Sequence, residues 1–283
     1  MLKQRVITAL IMLAIVLPTL FFSSPLPFCA LALLFIAAGA WEWAKLNGMH
    51  AVGAVCFAGL FIVLAALGWY LGLIDRPLPV VWILASSFWV LICVWLLKTG
   101  VSGWAQIPVT LRRIGGMFAL LLAWLAVAQA RVQGVNFLMS VLTLVWVADS
   151  FAYFAGRTWG GKFTSNKLSP SISPGKSWEG VWGGAVGVFL LAMTWVWADS
   201  YWRAGVPSLY SRLQGQHLVL MAIALLFLTA MSVVGDLIES LIKRSAGVKD
   251  SSGLLPGHGG VLDRVDALLP TLPIAMMLAS LVN

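Results

Sequence analysis

Nine apolar runs recur along this chain of 283 residues, each long enough for a helix to cross the roughly 30 Å hydrocarbon core of a bilayer. Only helices and closed barrels satisfy their backbone polar groups within lipid. Leu, Val, Ala and Trp fill the runs without the alternating pattern of barrel strands. We therefore predict an all-α, polytopic integral membrane protein with about nine transmembrane helices, at residues 6–22, 26–44, 51–73, 79–97, 115–132, 135–155, 180–198, 217–240 and 265–282.

The composition supports a single membrane domain over residues 1–283. Hydrophobic residues make up 61% of the chain, against about 45–50% in soluble domains, and no long polar segment remains for a soluble domain. The net charge is +8. Loop cations that orient the chain and meet anionic headgroups explain this charge, so nucleic acid is not an expected partner.

Positive charge is biased toward one side of the predicted topology. With a cytoplasmic N-terminus, the inside segments carry fourteen Lys and Arg and the outside segments carry four, as the positive-inside rule requires. The C-terminus then lies outside, and both charged segments described below face the cytoplasm. The fourteen are Lys3, Arg5, Lys45, Lys98, Arg112, Arg113, Arg157, Lys162, Lys167, Lys176, Lys243, Arg244, Lys249 and Arg264; the four are Arg76, Arg131, Arg203 and Arg212.

The N-terminus leaves one alternative open. Lys3 and Arg5 before an apolar run resemble a secretory signal, and Ser23, Ser24 and Cys29 supply small residues near its end. The next span follows almost immediately, which favours a retained first helix.

Charge is concentrated between Asp236 and Asp266. The whole chain has 28 Lys, Arg, Asp and Glu, and nine of them fall within these 31 residues. Asp236, Glu239 and Lys243 are spaced to share one helical face. An acid so close to the hydrophobic zone normally faces the bundle interior or an aqueous cavity, which favours a functional role. A structural ion pair of either acid with Lys243 or Arg244 remains the alternative.

The loop that follows contains Lys249 and a glycine-rich turn around His258, whose backbone N–H groups can approach a phosphate closely. His258 itself can be a turn residue, a phosphate donor or a general acid. Asp263 and Asp266 lie one helical turn apart, and with Asp236 they offer the hard oxygen ligands that Mg²⁺ prefers when it binds together with phosphates. Asp263 can alternatively cap a helix.

A second polar segment runs from residue 149 to residue 180 and contains four cations and many hydroxyl groups. These features suit a phosphate clamp, although loop cations can also serve topology alone. Asp149 is the stronger signal, because a carboxylate near the end of an apolar span needs a partner or a cation. Glu179 is interpreted as a favourable first-turn acid. Lys98 and Arg112 lie in a loop without a motif and are assigned to topology.

These residues resemble a known family. Residues 240–266 read S-x2-K-R-x4-K-D-x-S-x2-L-P-x-H-G-G-V-x-D-R-V-D, which is similar to the signature of the phosphatidate cytidylyltransferase (CDP-diacylglycerol synthase) family of bacterial type. The runs S-P-G-K-S-W-E-G at residues 173–180 and D-x3-Y-x2-G-R at residues 149–157 resemble that family too. Gly175 stands where many members have a second Lys, which leaves Lys176 as the cation.

The resemblance implies transfer of CMP from CTP to phosphatidic acid, giving CDP-diacylglycerol and pyrophosphate in phospholipid biosynthesis. Mg²⁺ is then the expected cofactor, and a monovalent cation such as K⁺ is suggested beside it. The expected metal ligands are Asp149, Asp236, Asp263 and Asp266. The expected catalytic residues are Asp236, Lys249, Asp263, Arg264 and Asp266, and the expected substrate-binding residues are Arg157, Ser173, Lys176, Lys243, Arg244, His258, Gly259 and Gly260.

The resemblance also implies a location and partners. We expect the bacterial cytoplasmic membrane, a polar active-site cavity facing the cytoplasm, and CTP, phosphatidic acid and membrane lipids as partners, with a homodimer left open. Residues 133–283 are interpreted as the catalytic portion and residues 1–132 mainly as scaffold. A transporter is the rival class, but its inverted repeats are not found. A CDP-alcohol phosphotransferase is disfavoured because its D-G-x2-A-R-x8-G-x3-D-x3-D pattern is absent.

Overall fold

The structure, a computed structural model, describes residues 2–282, with side chains from Gln4 onward. The side chain of Lys3, one of the fourteen cations predicted to lie inside, therefore falls outside the described residues. The described residues form α-helices joined by turns and loops, and they contain two isolated β-bridges. The helices are α1 Leu2–Leu20, α2 Leu26–Leu46, α3 Ala51–Tyr70, α4 Pro79–Gln106, α5 Val109–Gln133, α6 Val135–Trp159, α7 Trp178–Tyr201, α8 Leu209–Gln216, α9 Leu218–Ser245, α10 Leu262–Val265 and α11 Leu268–Leu281.

The helices confirm the predicted class of all-α polytopic membrane protein. Among the described residues, eight segments are long and apolar enough to cross a membrane, with α10 and α11 counted together as one segment. They correspond to eight of the nine predicted spans. The first predicted run forms α1, whose stretch Gln4–Leu20 is a shorter apolar helix. A membrane span at residues 6–22, and with it the total of nine spans, therefore stays a prediction.

Local sequence accounts for several helix ends. His50, Ser177 and Ser208 each precede a helix and accept a hydrogen bond from a backbone N–H in its first turn, which satisfies a donor that the helix leaves free. α4 is interrupted at Gly100, whose φ of 67° and ψ of −157° are not helical. A residue with a Cβ rarely adopts this backbone conformation, so glycine permits the break. The predicted span 79–97 ends just before it.

The bundle is built around α9 and α11, which pack against each other and against α4. α6 and α7 form the closest helix pair, and α7 connects this pair to α9, whereas α3 lies at the periphery against α2 and α5. Buried indoles find partners inside the bundle: Trp82 donates to the side chain of Gln129 at 3.1 Å, and Trp124 donates to the carbonyl of Cys29 at 3.2 Å. These bonds matter because a polar group in an apolar interior is costly when it has no partner.

The loops lie at the two ends of the bundle. One end carries most of the Lys and Arg residues and is called the basic end. Arg5 of α1 donates to the carbonyl of Gly257, and Arg113 of α5 donates to the carbonyl of Asn47 at the end of α2. Glu42 of α2 contacts Ser251, which belongs to the same loop as Gly257. The C-terminal end of α2 and the loop after α9 therefore lie at the same end of the bundle. Helix direction places the remaining described cations of the predicted inside set at this same end.

The four predicted outside cations lie at the opposite end. There Arg131 donates to the carbonyl of Phe22 at 2.6 Å, and Asn136 donates to the carbonyl of Val206 at 2.8 Å. The structure thus separates the two sets of cations as the predicted topology requires. Which end faces the cytoplasm stays a prediction.

Cysteine accessibility tests this topology with two exposed glycines that have open space around them, Gly253 at the basic end and Gly205 at the opposite end. We expect Gly253→Cys to react with a membrane-impermeant maleimide only from the cytoplasmic side and Gly205→Cys only from the outside. Both variants carry Cys56→Ala, because Cys56 is exposed whereas Cys29 and Cys93 are buried. Labelling of both positions from the same side would contradict the prediction.

Candidate active site

A polar cavity at the basic end collects several predicted site residues. The cavity has a volume of about 450 Å³, and it lies between α6, the α6–α7 loop and α9. Lys176 of the loop reaches across to α9, where its Nζ lies 2.7 Å from Oδ2 of Asp236 and 3.3 Å from the carbonyl of Val233. The polar side chains that line the cavity are Asp149, Tyr153, Arg157, Lys176, Ser177 and Asp236.

The α6–α7 loop is shaped so that Lys176 points into this cavity. Ser173 closes a turn with Ser169, and the backbone N–H of Lys176 donates to the carbonyl of Ser173 at 3.2 Å. At the far end of the loop, the buried carboxylate of Glu179 accepts hydrogen bonds from the backbone N–H groups of Phe163 and Thr164. Glu179 therefore does more than the first-turn role predicted for it, because it also folds the loop.

Three of the predicted metal ligands repel one another electrostatically. Asp149 and Asp236 line the same cavity, and Gly235, the residue before Asp236, packs against the backbone of Asp266, so the three negative charges lie in one region. Two cations offset part of the repulsion between these acids. The positive charge of Lys176 attracts Asp149, and that of Lys243 attracts Asp266. No group of three or more His, Cys, Asp or Glu side chains is arranged to hold a metal among the described residues. The acids thus supply negative charge in one region without forming a closed cage.

Asp263 is already surrounded by donors. Its Oδ1 lies 2.5 Å from Nζ of Lys243, while its Oδ2 accepts from the backbone N–H groups of Ser251 and Gly260 and from the Ser251 hydroxyl, at 2.7–2.9 Å. Lys243 also pairs with Glu239, the neighbour on its own helix. The predicted alternative of a structural ion pair is therefore present for Glu239. The predicted role of Asp263 as a metal ligand stays a prediction.

The glycine-rich turn is held by Arg264. Its Nε and Nη2 donate to the carbonyl of His258 at 3.0 and 2.7 Å, and the backbone N–H of His258 donates to the carbonyl of Leu255 at 2.8 Å. Gly257 and Gly259 adopt positive φ values of 77° and 85°, which glycine tolerates without strain. Lys249 and Arg244 are exposed, and their predicted roles toward the substrate stay predictions.

A second, apolar cavity of about 680 Å³ lies on the other side of α9. Apolar residues of α2, α4, α5, α9 and α11 line most of it, and the acids Glu239 and Asp266 lie along one part of its wall. Arg112, which the sequence assigned to topology alone, also lines this cavity and lies 5.6 Å from the ring of Trp104. Asp266 thus lines the apolar cavity, while Asp236 lines the polar one.

Glu42 is the acid that sequence reasoning missed. It lies within the apolar α2, is fully buried, and accepts hydrogen bonds from the loop that carries the signature. The principle applied to Asp149 and Asp236, that an acid inside an apolar span is normally functional, would have identified it. It was passed over because it lies far in sequence from both charged segments.

The fold and the site define a polytopic α-helical membrane protein that gathers acidic and basic side chains between a polar and an apolar cavity. The chain belongs to the Cytidylyltransferase family, whose sequence model matches residues 3–282. The predicted resemblance is thereby confirmed, and the protein is an enzyme of the cytidylyltransferase kind.

Two of the relatives named here match over most of their length, and a third matches over less than half. A phosphatidate cytidylyltransferase of Pseudomonas aeruginosa is 37% identical over 280 residues, covering 97% of this chain and 95% of the relative. One of Haemophilus influenzae is 37% identical over 294 residues, covering 96% of each. One of Thermotoga maritima is 41% identical over 138 residues, covering 48% of this chain and 46% of the relative.

The position of Lys243 between two acids predicts a large effect on stability. Lys243→Met removes the cation that pairs with Glu239 and Asp263, and breaking a buried ion pair from one side costs about 3–5 kcal/mol. We expect a decrease of this size in the free energy of unfolding, measured by SDS titration in mixed micelles. Arg244→Met makes a similar change at an exposed neighbour and should stay within about 0.5 kcal/mol of the parent. Equal effects of the two substitutions would contradict the prediction.

Proposed function

We propose that this protein is a phosphatidate cytidylyltransferase, which transfers CMP from CTP to phosphatidic acid and releases pyrophosphate. The observation that carries the proposal is the position of two cavities of opposite character on the two sides of one turn of α9. Val233 and Asp236 line the polar cavity, whereas Gly235 lines the apolar one. A reaction between a water-soluble nucleotide and a lipid needs such an arrangement. The names of the relatives support the same substrates.

The apolar cavity suits the acyl chains of phosphatidic acid, and its acidic wall lies where the lipid headgroup would approach the nucleotide. Exposed apolar side chains cover the lipid-facing parts of α3 and α4, so a lipid can remain in a hydrocarbon environment along the bundle. Arg112 at the cavity wall offers a cation for the headgroup. The active site then faces the cytoplasm, where CTP is found, in the bacterial inner membrane. A homodimer stays a prediction.

The chemistry is a displacement at the α-phosphorus of CTP. An anionic oxygen of the phosphatidic acid phosphate forms the new P–O bond while the bond to the bridging oxygen of pyrophosphate breaks. The nucleophile is already anionic, so it needs little activation, and the main obstacle is repulsion between the two substrates. Positioning and electrostatic stabilisation overcome this repulsion. Lys176 and Arg157, which line the polar cavity, would neutralise phosphates together with the exposed cations Arg244 and Lys249.

Mg²⁺ is the proposed cofactor, and the residues present fit it by charge. Asp236, Asp149 and Asp266 supply acidic oxygens in one region, and Mg²⁺ usually keeps several waters and binds one or two carboxylates together with substrate phosphates. When bound, the ion would reduce the negative charge of the phosphates. Both oxygens of Asp263 already have partners, because Lys243 and three further donors surround the carboxylate. A K⁺ ion beside Mg²⁺ stays a prediction.

The proposal predicts that purified protein converts CTP and phosphatidic acid into equal amounts of CDP-diacylglycerol and pyrophosphate, and that EDTA stops the reaction. Asp236→Asn removes the charge but keeps the size, so turnover should fall at least about 100-fold. Asp75→Asn, the same change at an exposed acid of the opposite end, should leave turnover unchanged. A lack of product with the parent protein would exclude the proposed activity. Near-normal turnover in Asp236→Asn would exclude Asp236 as an essential ligand.

The lipid cavity is tested by filling it from α5. Gly115 lines the cavity, and no other group lies within 4 Å of a Cβ added there. We expect Gly115→Leu to raise KM for phosphatidic acid by roughly tenfold, because small changes of volume in an apolar pocket discriminate on this scale, and to leave KM for CTP unchanged.

Gly59→Leu is the matched control for this substitution. Gly59 also lies in an apolar helix with open space around it, but it is outside the cavity. Its substitution should change neither KM. Equal KM values for phosphatidic acid in both variants and the parent would show that the lipid binds elsewhere.

A further inference from the structure

Glu42 is a buried carboxylate at the basic end of the apolar bundle, and no Lys or Arg forms an ion pair with it among the described residues. Its side chain belongs to α2 and is fully buried. It takes part in none of the ion pairs found in the described part of the chain. An unpaired charge in such surroundings is costly unless several hydrogen bonds compensate for the lost hydration. The groups that donate hydrogen bonds to the Glu42 carboxylate therefore indicate its role.

Four donor groups from one loop lie within hydrogen-bond distance of the carboxylate, and one of them, the Ser251 hydroxyl, is shared with Asp263. Oε1 accepts from the Ser252 hydroxyl at 2.5 Å and from the backbone N–H of Val261 at 2.9 Å. Oε2 accepts from the backbone N–H of Leu262 at 2.7 Å, and the Ser251 hydroxyl lies 3.2 Å from it. The donors lie at both ends of the segment 251–262. Glu42 thus ties the start of this segment to its end.

The same contacts connect Glu42 to the acidic and basic residues of the site. The Ser251 hydroxyl lies 2.8 Å from Asp263, and Asp263 is bound to Lys243. Gly260 has no room for a side chain, because a Cβ there would overlap Ser251 and Glu42. The segment is therefore packed directly onto the carboxylate. A displacement of Glu42 would move Asp263 and the start of α10 together.

We propose that Glu42 is a positioning residue for the reaction: it fixes segment 251–262 so that Lys249, Arg264 and Asp266 keep their places around the substrates. The inference rests on the proposed function, since it assigns the loop to the active site. It also gives α2, which lies within the part interpreted as scaffold, a direct influence on turnover. Groups that act in the transition state are sensitive to small displacements, and a misplacement of about 1 Å can cost about 100-fold in rate.

The test compares two carboxylate-to-amide substitutions in the full-length protein in detergent. Glu42→Gln keeps the size of the side chain, but its NH₂ group cannot accept from the backbone N–H that the lost oxygen served. Asp199→Asn makes the same change at the opposite end, where Asp199 accepts from Asn136, Ser208 and Ser211. We expect Glu42→Gln to lower kcat at least roughly tenfold with both KM values within about threefold of the parent. Asp199→Asn should lower the melting temperature but keep the parent kcat per folded molecule.

A local measurement accompanies the kinetics. Hydrogen exchange in peptides that contain Val261 and Leu262 should be faster in Glu42→Gln than in the parent, and exchange in peptides of α8 should be unchanged. Ser252→Ala removes one of the four donors and serves as the milder variant if Glu42→Gln does not fold. It should lower kcat by about threefold, on the scale of one hydrogen bond.

Three outcomes would overturn the proposal. The first is a parent kcat in folded Glu42→Gln, or in Ser252→Ala where that variant must be used. The second is an equal loss of kcat in Asp199→Asn, which would mean that general stability controls the rate. The third is full activity of Lys249→Ala, because the loop would then not belong to the active site. That third result would count against the proposed site itself, whereas the first two would leave it intact.

Discussion

The cost of holding charge inside an apolar bundle determines how the basic end of this molecule is organised. A carboxylate there needs a cation, several hydrogen-bond donors or both. Glu239 has the cation Lys243, Glu42 has donors alone, and Asp263 has Lys243 together with three donors. Glu42 and Asp263 accept hydrogen bonds from the loop between α9 and α10, and Glu239 pairs with Lys243 in the last turns of α9, just before that loop. The loop is consequently ordered by buried acids and needs no strands of its own.

The fold was largely predictable because the hydrophobic effect acts on composition over a whole span. Eight apolar runs became helices with boundaries close to those expected. The features that the sequence did not predict depend on the backbone conformation of single residues or involve very short segments. The break at Gly100 is the conformation of a single residue, and α8 is only eight residues long, so no run of sufficient length marks it. α9 continues to Ser245, five residues beyond the predicted span, and its last turns carry Lys243, which pairs with Glu239 on the same helix and with Asp263, a partner that is visible only in three dimensions.

The sequence identified several residues that the structure brings together, but it did not predict their arrangement. The density of charge and the signature identified the two segments, and the structure brings Asp149, Lys176 and Asp236 to one cavity. Sequence spacing could not show that Lys243 binds Asp263, since the two residues are connected by a loop whose path depends on tertiary contacts. Glu42 escaped notice for the same reason. Two of its four partners are backbone N–H groups, which every loop possesses and no motif distinguishes.

The distance between the two cavities depends on the smallest residue of α9. At Gly235 a Cβ would lie 2.7 Å from the carbonyl oxygen of Asp266 and 2.9 Å from Cγ of Pro270. Neither group can yield easily, since one is backbone and the other is a proline ring in α11. A larger residue would therefore push the start of α11 away from α9 and separate Asp266 from Asp236. Because those acids line the apolar and the polar cavity respectively, the close helix contact at Gly235 keeps the proposed lipid and nucleotide sides of the site within reach of each other.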